Sequence, residues 1–187
     1  MADPVSTSPE ESQVEAAPHM TARPAEPDDS AEVADVFLAA RSQLTYLPEL
    51  HTERETRAWI RDALLGECET SVSEENGRVV GYAALSQDML EHLYVHPQAQ
   101  GKGVGTELLA LAKRRRPAGF RLWVFQRNEG ARRFYERHGL RLVEVTDGSA
   151  NEEREPDALY EWRPAAASIR DPAAGAREPG SRRSPRS

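Results

Sequence analysis

This chain of 187 residues contains one cysteine, few aromatic residues and no long apolar run. A single thiol, Cys68, cannot build an internal disulfide framework or a cysteine cluster for structural zinc. No segment approaches the roughly 20 apolar residues that a membrane-spanning helix needs. The chain begins without the basic start and apolar middle of a secretory signal. These absences predict a cytoplasmic protein with neither a metal site nor a membrane partner.

Positive charge is outweighed by negative charge, with 24 Lys and Arg against 31 Asp and Glu and a formal net charge of -7. Nucleic acids and anionic membranes are themselves negative, so an acidic protein has little general affinity for them. The sequence therefore predicts no nucleic-acid partner. Its length and its hydrophobic content of 39% are sufficient for one globular domain with a buried core.

The two ends of the chain differ in composition from its middle. Residues 1–18 are rich in Pro, Ser, Ala and Glu, and residues 164–187 are rich in Arg, Pro and Ser. Such segments cannot bury enough apolar surface to fold, so both are predicted to be disordered. One domain is predicted over residues 19–163.

The pattern of apolar residues within this domain predicts a mixed α/β fold in the order β-α-α-β-β-β-α-β-α-β-β. Thr52 and Glu55 form a capping box at the start of the second helix, and Gly66 is expected to end that helix. The pair Asn76-Gly77 is typical of a tight hairpin turn. Asp29 or Ser30 is expected to cap the first helix. The central β-α-β unit suits a parallel crossover.

Three alternating glycines, Gly101, Gly103 and Gly105, lie between an apolar strand and a helix. A dinucleotide-binding fingerprint needs different glycine spacing and an acidic residue after the next strand, and both are missing. A nucleoside-triphosphate loop needs Ser or Thr after its lysine, but Gly103 follows Lys102. A tight turn alone explains one or two glycines, and three of them disfavour the helix.

Bare backbone at a helix N-terminus is suited to binding an anion, because successive N–H groups and the helix dipole point at it. Gln100 is placed to stiffen the loop, and Lys102 and Thr106 are placed near a bound phosphate. A diphosphate with a long amide-bearing arm beside the preceding strand fits this arrangement. Coenzyme A has that chemistry.

The segment "LYVHPQAQGKGVGTELLALA" resembles the acetyl-CoA signature Q-x-x-G-x-G of the GNAT superfamily of N-acetyltransferases. "NEGARRFYERHGL" is similar to the family's N…A…FYE…GF segment, with Leu140 where Phe is usual. "TARPAEPDD" resembles the family's opening strand and turn. The resemblance covers about residues 19–163. It implies a GNAT-like fold, with a central mixed sheet, a splayed parallel strand pair and flanking helices.

The resemblance implies that acetyl-CoA is a cosubstrate and that no metal is required. The pantetheine arm is expected to pair with the motif strand and the pyrophosphate to lie on the glycine loop. Asn128 matches a position that contacts the arm, and it is equally suited to cap the following helix. The implied cofactor-binding residues are Leu93, Tyr94, Val95, Gln100, Gly101, Lys102, Gly103, Val104, Gly105, Thr106 and Asn128.

Tyr135 matches the family tyrosine that lies near the sulfur and often serves as general acid, although it could simply pack in the core. Glu91 is the candidate base, because strand alternation places it on the face of Leu93 and Val95. A carboxylate there could instead be exposed or anchor a cationic substrate. His92 and His96 are alternative bases for which a structural role is the plainer expectation.

The acceptor is expected to contact the connector between the first two helices, where Tyr46 and His51 are the candidates. The acidic stretch "DGSANEEREPDA" is interpreted as a solvated hairpin loop, with shaping of the acceptor side or attraction of a cationic amine as the alternative. The basic run at residues 113–116 is interpreted as a solvated helix end, with contact to the cofactor's ribose phosphate or to nucleic acid as the alternatives. Arg127, Arg132 and Arg133 are further phosphate candidates, and the sequence selects none of them.

Two functions from different classes follow. The first is an acetyl-CoA-dependent N-acetyltransferase that acetylates a small-molecule amine or a protein or peptide amine by direct attack in a ternary complex. The second is a non-catalytic acyl-CoA-binding or regulatory module on the same fold. Tyr135 and Glu91 favour the enzyme, because a binding module needs neither. The resemblance also implies a possible homodimer.

Overall fold

The structure, a computed structural model, describes residues 20–164. The terminal segments predicted to be disordered lie outside the described residues, apart from Pro164. Seven strands form one mixed sheet in the order β1-β2-β3-β4-β5-β7-β6. The strands are β1 Met20–Pro24, β2 Glu69–Glu75, β3 Arg78–Ser86, β4 Met89–Val95, β5 Phe120–Phe125, β6 Arg141–Val145 and β7 Asp157–Trp162.

Helices cover both faces of this sheet, which confirms the predicted mixed α/β class. They are α1 Ser30–Arg41, α2 Glu53–Trp59, α3 Leu65–Glu67, α4 Val104–Arg115 and α5 Glu129–Arg137. Short 3-10 helices, Pro27–Asp29 and Pro97–Ala99, precede α1 and the glycine loop. Among residues 20–164, no helix has the length and apolar character to cross a membrane. The same residues contain no group of three or more His, Cys, Asp or Glu side chains that could hold a metal ion.

Several local predictions are confirmed. Thr52 and Glu55 form the reciprocal capping box at the start of α2. Asn76 and Gly77 both have positive φ, of 55° and 75°, as a two-residue hairpin turn between β2 and β3 requires.

One helix-end prediction is wrong, and another is confirmed in position but not in its hydrogen bond. A π-helical turn, Ile60–Leu64, continues α2 into α3, and Gly66 lies inside α3 instead of ending the helix. Asp29 is the N-cap residue of α1, as expected, but its side chain makes no capping hydrogen bond. Its carboxylate instead accepts two hydrogen bonds from Arg23 and one from the Glu26 N–H. A bidentate arginine is a stronger partner for a carboxylate than an uncharged cap N–H.

The core is divided by the sheet into two clusters. On one face, α1 and α2 bury residues such as Val33, Val36 and Ile60 against β2 and β3. On the other face, α4 and α5 pack on β4, β5 and β7. A Cβ at Gly81 on β3 would lie 2.8 Å from Cγ1 of Val104, so glycine there lets the start of α4 approach the sheet.

The parallel strands β4 and β5 pair at one register only, Met89 with Arg121. An N–H···O bond of 2.8 Å from Arg121 to Asp88 closes this end of the pair. Beyond it the two strands have no further paired residues, so a gap opens between them. This is the splayed pair that the family resemblance implies, and the gap fixes the position of the site.

Candidate active site

A cavity of about 1110 Å³ occupies the gap between β4 and β5. Its walls come from both strands, the glycine loop and α5, and also from the end of α1 and the loop before β7. Because α1 and α5 cover opposite faces of the sheet, the cavity passes from one face to the other through the gap. Its size is that of sites that enclose small-molecule ligands.

The glycine loop has the backbone conformation that only glycine adopts easily. Gly101 and Gly103 have φ values of 77° and 95°, and Gly103 is the N-cap of α4. Gly105 has no positive φ, and a Cβ there would lie 3.5 Å from the Phe134 ring. The first two glycines therefore shape the loop, while Gly105 leaves space between α4 and α5.

The backbone N–H groups of residues 101–106 form no hydrogen bond to any acceptor within residues 20–164. The first bonded N–H after the loop is that of Glu107, which donates to the Gly103 carbonyl at 3.0 Å. Unpaired N–H groups and the positive end of the helix dipole therefore meet at the cavity. This arrangement fits an anionic group such as a pyrophosphate.

Side chains hold the loop in place from both ends. Nε2 of Gln100 donates to the Val95 carbonyl at 3.2 Å and to Oε1 of Gln43 at 3.0 Å. Lys102 does not line the cavity, because its Nζ contacts both carboxylate oxygens of Glu75 at 3.1 Å. The two hydrogen bonds of Gln100 favour its expected role of stiffening the loop. Because the Lys102 side chain pairs with Glu75, Lys102 offers a phosphate only its backbone N–H.

Two further loop residues differ in what they offer the cavity. The side chain of Val104 is buried in the core, so only its backbone faces the loop. Oγ1 of Thr106 lies 3.2 Å from Nε2 of His138, and both residues line the cavity. Nδ1 of His138 lies 2.8 Å from the Phe134 carbonyl oxygen. Since a carbonyl only accepts, Nδ1 carries a proton and Nε2 faces the threonine hydroxyl.

His138 was missed by the sequence reasoning. It follows the last residue of α5 and precedes the helix-ending Gly139, a position where a solvated cationic residue is ordinary. The helical spacing from Phe134 to His138 was the available signal, and it does not distinguish a cavity residue from a surface one.

The edge of β4 offers backbone groups to the gap. The His96 N–H donates to the Val80 carbonyl on β3 at 2.8 Å. Because successive strand residues direct their N–H groups to opposite sides, the groups of Val95 and Leu93 point away from β3 and into the gap. Those of Tyr94 pair with β3. Of the three residues predicted to bind the pantetheine arm, Leu93 and Val95 therefore have backbone N–H groups that are free to pair with it. Tyr94 lines the cavity beside them.

Tyr135 is buried in the core beside Phe134 and also lines the cavity. Burial raises the pKa of its hydroxyl, and the nearby Tyr94 adds to the rise. A hydroxyl in this environment keeps its proton at neutral pH. The packing role and the predicted acid role are compatible with the same position.

Glu91 is exposed at the start of β4, lines the cavity and accepts a hydrogen bond from the Ser86 hydroxyl. His92 points to the opposite face, where its ring centroid lies 5.4 Å from that of Trp59. Burial lowers the pKa of His92 to about 4. His96 accepts a backbone hydrogen bond that caps the following 3-10 helix. Glu91 is the only one of the three with its side chain at the cavity.

Asn128 lines the cavity at the start of α5 and also caps that helix. Its Oδ1 accepts from the Ala131 N–H at 3.1 Å. The capping role expected from sequence is observed, and the side-chain amide remains at the wall of the cavity.

The structure does not bring Tyr46 or His51 to the cavity. The ring of Tyr46 lies 4.5 Å below the Arg127 guanidinium, and its hydroxyl is buried without a hydrogen-bond partner. His51 lies in an exposed ion pair with Glu152 at 3.0 Å. The connector residues that do line the cavity are Gln43 and Leu44.

The acidic stretch before β7 is not simply a solvated loop. Glu153 pairs with Arg41 of α1 at 2.8 Å, and Glu155 lies 3.5 Å from Arg127. Ala150, Asn151 and Glu153 line the cavity. The placement agrees with the alternative that this stretch shapes the acceptor side, and the Arg41–Glu153 contact that positions it joins residues 112 apart along the chain.

Comparison with known proteins gives a consistent result. The Acetyltransferase (GNAT) domain family matches residues 66–141. The peptidyl-lysine N-acetyltransferase YiaC of Escherichia coli is 31% identical over 86 residues, which are 46% of this chain and 58% of that protein. The L-amino acid N-acyltransferase MnaT of the same organism is 42% identical over 62 residues, 28% of this chain and 36% of that protein. The chain thus spans about half the length of these curated relatives.

Among solved structures, the PaiA N-acetyltransferase from Thermoplasma acidophilum in complex with coenzyme A has a TM-score of 0.61. It is 20% identical, and the match covers 78% of this chain and 99% of that one. The sheet with a splayed β4–β5 pair, the glycine loop and the helix after it define the fold of acyl-CoA N-acyltransferases. Residues 66–141 match the acetyltransferase domain of the GNAT superfamily, and the described fold is similar to that of a solved N-acetyltransferase.

Proposed function

We propose that this protein is an acetyl-CoA-dependent N-acetyltransferase that acetylates a primary amine by direct attack in a ternary complex. The observation that supports this most is the single cavity through the β4–β5 gap. It joins the unpaired N–H groups at the start of α4 to a carboxylate-lined end on the face of α1. Two substrates can therefore enter from opposite faces and meet within the gap.

The binding roles follow from the contacts around the cavity. The N–H groups of residues 101–106 hold the pyrophosphate, and the β4 edge at Leu93 and Val95 holds the amide-bearing arm. Asn128 contacts the arm from the other side of the gap. When bound, acetyl-CoA supplies an acetyl group activated as a thioester.

In the reaction a new C–N bond forms as the C–S bond breaks, the amine loses a proton and the thiolate gains one. The Val95 N–H is placed to polarise the carbonyl, as donors aimed at developing negative charge do. Tyr135 provides the proton for the thiolate, because burial keeps its hydroxyl protonated. Glu91 accepts the proton of the amine, directly or through water.

Glu91→Gln is expected to lower kcat/KM at neutral pH by roughly 10²-fold, the lower end of what a general base contributes. The loss should shrink at high pH, where the amine is deprotonated without help. The measurement is a pH profile of kcat/KM at saturating acetyl-CoA. Glu144→Gln, at an exposed position on β6, is the matched control. A profile identical to that of the control would remove Glu91 as the base.

The proposed function is tested by a screen of acceptors, with free thiol release from acetyl-CoA as the readout. The panel includes monoamines, diamines, L-amino acids and lysine-containing peptides, the last two because of the names of the relatives. We expect thiol release that depends on at least one class of amine. Acetyl-CoA binding without thiol release on any amine would instead favour the non-catalytic acyl-CoA-binding or regulatory module. The cytoplasmic location and the homodimer remain predictions.

A further inference from the structure

The two ends of the cavity differ in charge. Arg137 and the N-terminus of α4 lie towards the glycine loop, whereas Glu153 and Asp157 lie on the loop before β7. Both carboxylate oxygens of Asp157 already accept hydrogen bonds from the protein. Thr146 donates to Oδ1, and Asn151 donates to Oδ2 at 3.0 Å. At this end of the cavity, Glu153 is therefore the carboxylate that can still accept a hydrogen bond from a ligand.

One oxygen of Glu153 is held and the other is free. Nη2 of Arg41 donates to Oε1 at 2.8 Å, and Oε2 has no hydrogen-bond partner within residues 20–164. The Glu153 side chain is only 17% exposed. Because Arg41 fixes the carboxylate, the free oxygen has a defined direction without further loss of side-chain entropy on binding.

The Arg41–Glu153 pair acts electrostatically on Tyr94, which lines the same cavity as Glu153. Burial raises the pKa of the Tyr94 hydroxyl. Arg41 lowers this pKa and Glu153 raises it, so both charged groups act on the hydroxyl. Tyr94 in turn acts on the pKa of Tyr135. Glu153, Tyr94 and Tyr135 line the same cavity, which suits an acceptor that carries a second polar group besides its reacting amine.

We infer that Glu153 binds a positively charged group of the acceptor other than the reacting amine, so that the acceptor is a diamine or polyamine. This inference rests on the proposed function. A carboxylate favours the charged form of a neighbouring amine, whereas the attacking amine must lose its proton. An anchor of this kind therefore suits a second ammonium group, which stays charged during the reaction. A free amino acid would bring its own carboxylate to the same acidic end.

The test compares putrescine with n-butylamine, which has the same carbon chain but lacks the second charge. In the wild-type protein kcat/KM for putrescine is expected to exceed that for n-butylamine by roughly tenfold or more, the range of a hydrogen bond between charged groups. Glu153→Gln should abolish this preference, mainly by raising KM for putrescine. Glu152→Gln is the matched control, since Glu152 neighbours Glu153 but pairs with His51 outside the cavity.

Equal losses for both amines in Glu153→Gln, or a wild-type preference for L-amino acids over putrescine, would overturn the inference. Transfer to monoamines without a preference for diamines removes the role of Glu153 but leaves the proposed function intact. Acetyl-CoA binding with no transfer to any amine removes both. If Glu153→Gln does not fold, the wild-type protein is measured at rising salt. KM should then rise for putrescine more than for n-butylamine, because salt screens the extra charge, and equal responses would contradict the inference.

Discussion

Gly103→Val is expected to weaken acetyl-CoA binding by at least about tenfold, because it disturbs the loop that carries the unpaired N–H groups. Gly103 has a φ of 95° and caps α4. A side chain in the left-handed region costs roughly 1–2 kcal/mol, and the loop can avoid that cost only by changing its conformation. Any such change turns N–H groups away from the cavity. Calorimetric titration with acetyl-CoA measures the affinity, and thermal unfolding measures the accompanying loss of stability.

Gly77→Val is the control for backbone strain. Gly77 has a φ of 75° in the hairpin between β2 and β3, and a Cβ there would meet nothing within 4 Å. It should lose comparable stability while keeping full affinity for acetyl-CoA. If both variants bind acetyl-CoA as tightly as the wild-type protein, the glycine loop is not a pyrophosphate site.

Tyr135→Phe is expected to lower kcat by roughly 10²-fold or more, which is the usual contribution of a positioned acid. The change removes the hydroxyl but keeps the ring that packs beside Phe134 and Tyr160. Affinity for acetyl-CoA should therefore remain close to that of the wild-type protein. Steady-state kinetics with a saturating amine, together with calorimetric binding, separate the two effects.

The pH dependence provides a second readout of Tyr135. Burial raises the pKa of its hydroxyl above the ordinary phenol value, so the proton is present throughout the neutral range. The deficit of the Phe variant should consequently not vary with pH in that range. Tyr82→Phe is the matched control, because its buried hydroxyl has no hydrogen-bond partner and its loss should not lower kcat or stability. Wild-type turnover in Tyr135→Phe would exclude it as the acid.

The sequence predicted those features that depend on neighbouring residues. The capping box of Thr52 and Glu55 and the turn at Asn76-Gly77 involve short-range contacts, and both are observed. The order of strands and helices follows from the periodicity of apolar residues, and it is confirmed as well. The glycine loop belongs to this group, because its positive φ angles at Gly101 and Gly103 are local properties of the chain.

The capping hydrogen bond expected at the start of α1 is absent because a charged partner takes the side chain. Asp29 was expected to cap α1, but Arg23 of β1 binds its carboxylate and is itself shared with Glu74 of β2. A bidentate arginine binds this carboxylate more strongly than an uncharged cap N–H does. The placement of Lys102 near a phosphate stays a prediction, and its Nζ pairs with Glu75 at 3.1 Å.

The sequence by itself determined the fold class, the GNAT resemblance and the loop of free N–H groups, since each is encoded in contiguous residues. Only the tertiary structure decided how the acceptor end of the cavity is built. It placed Glu153 there and left Tyr46 and His51 outside. The reason is that this end is formed where α1 meets the loop before β7, and contacts between such distant segments leave no periodic pattern in the sequence.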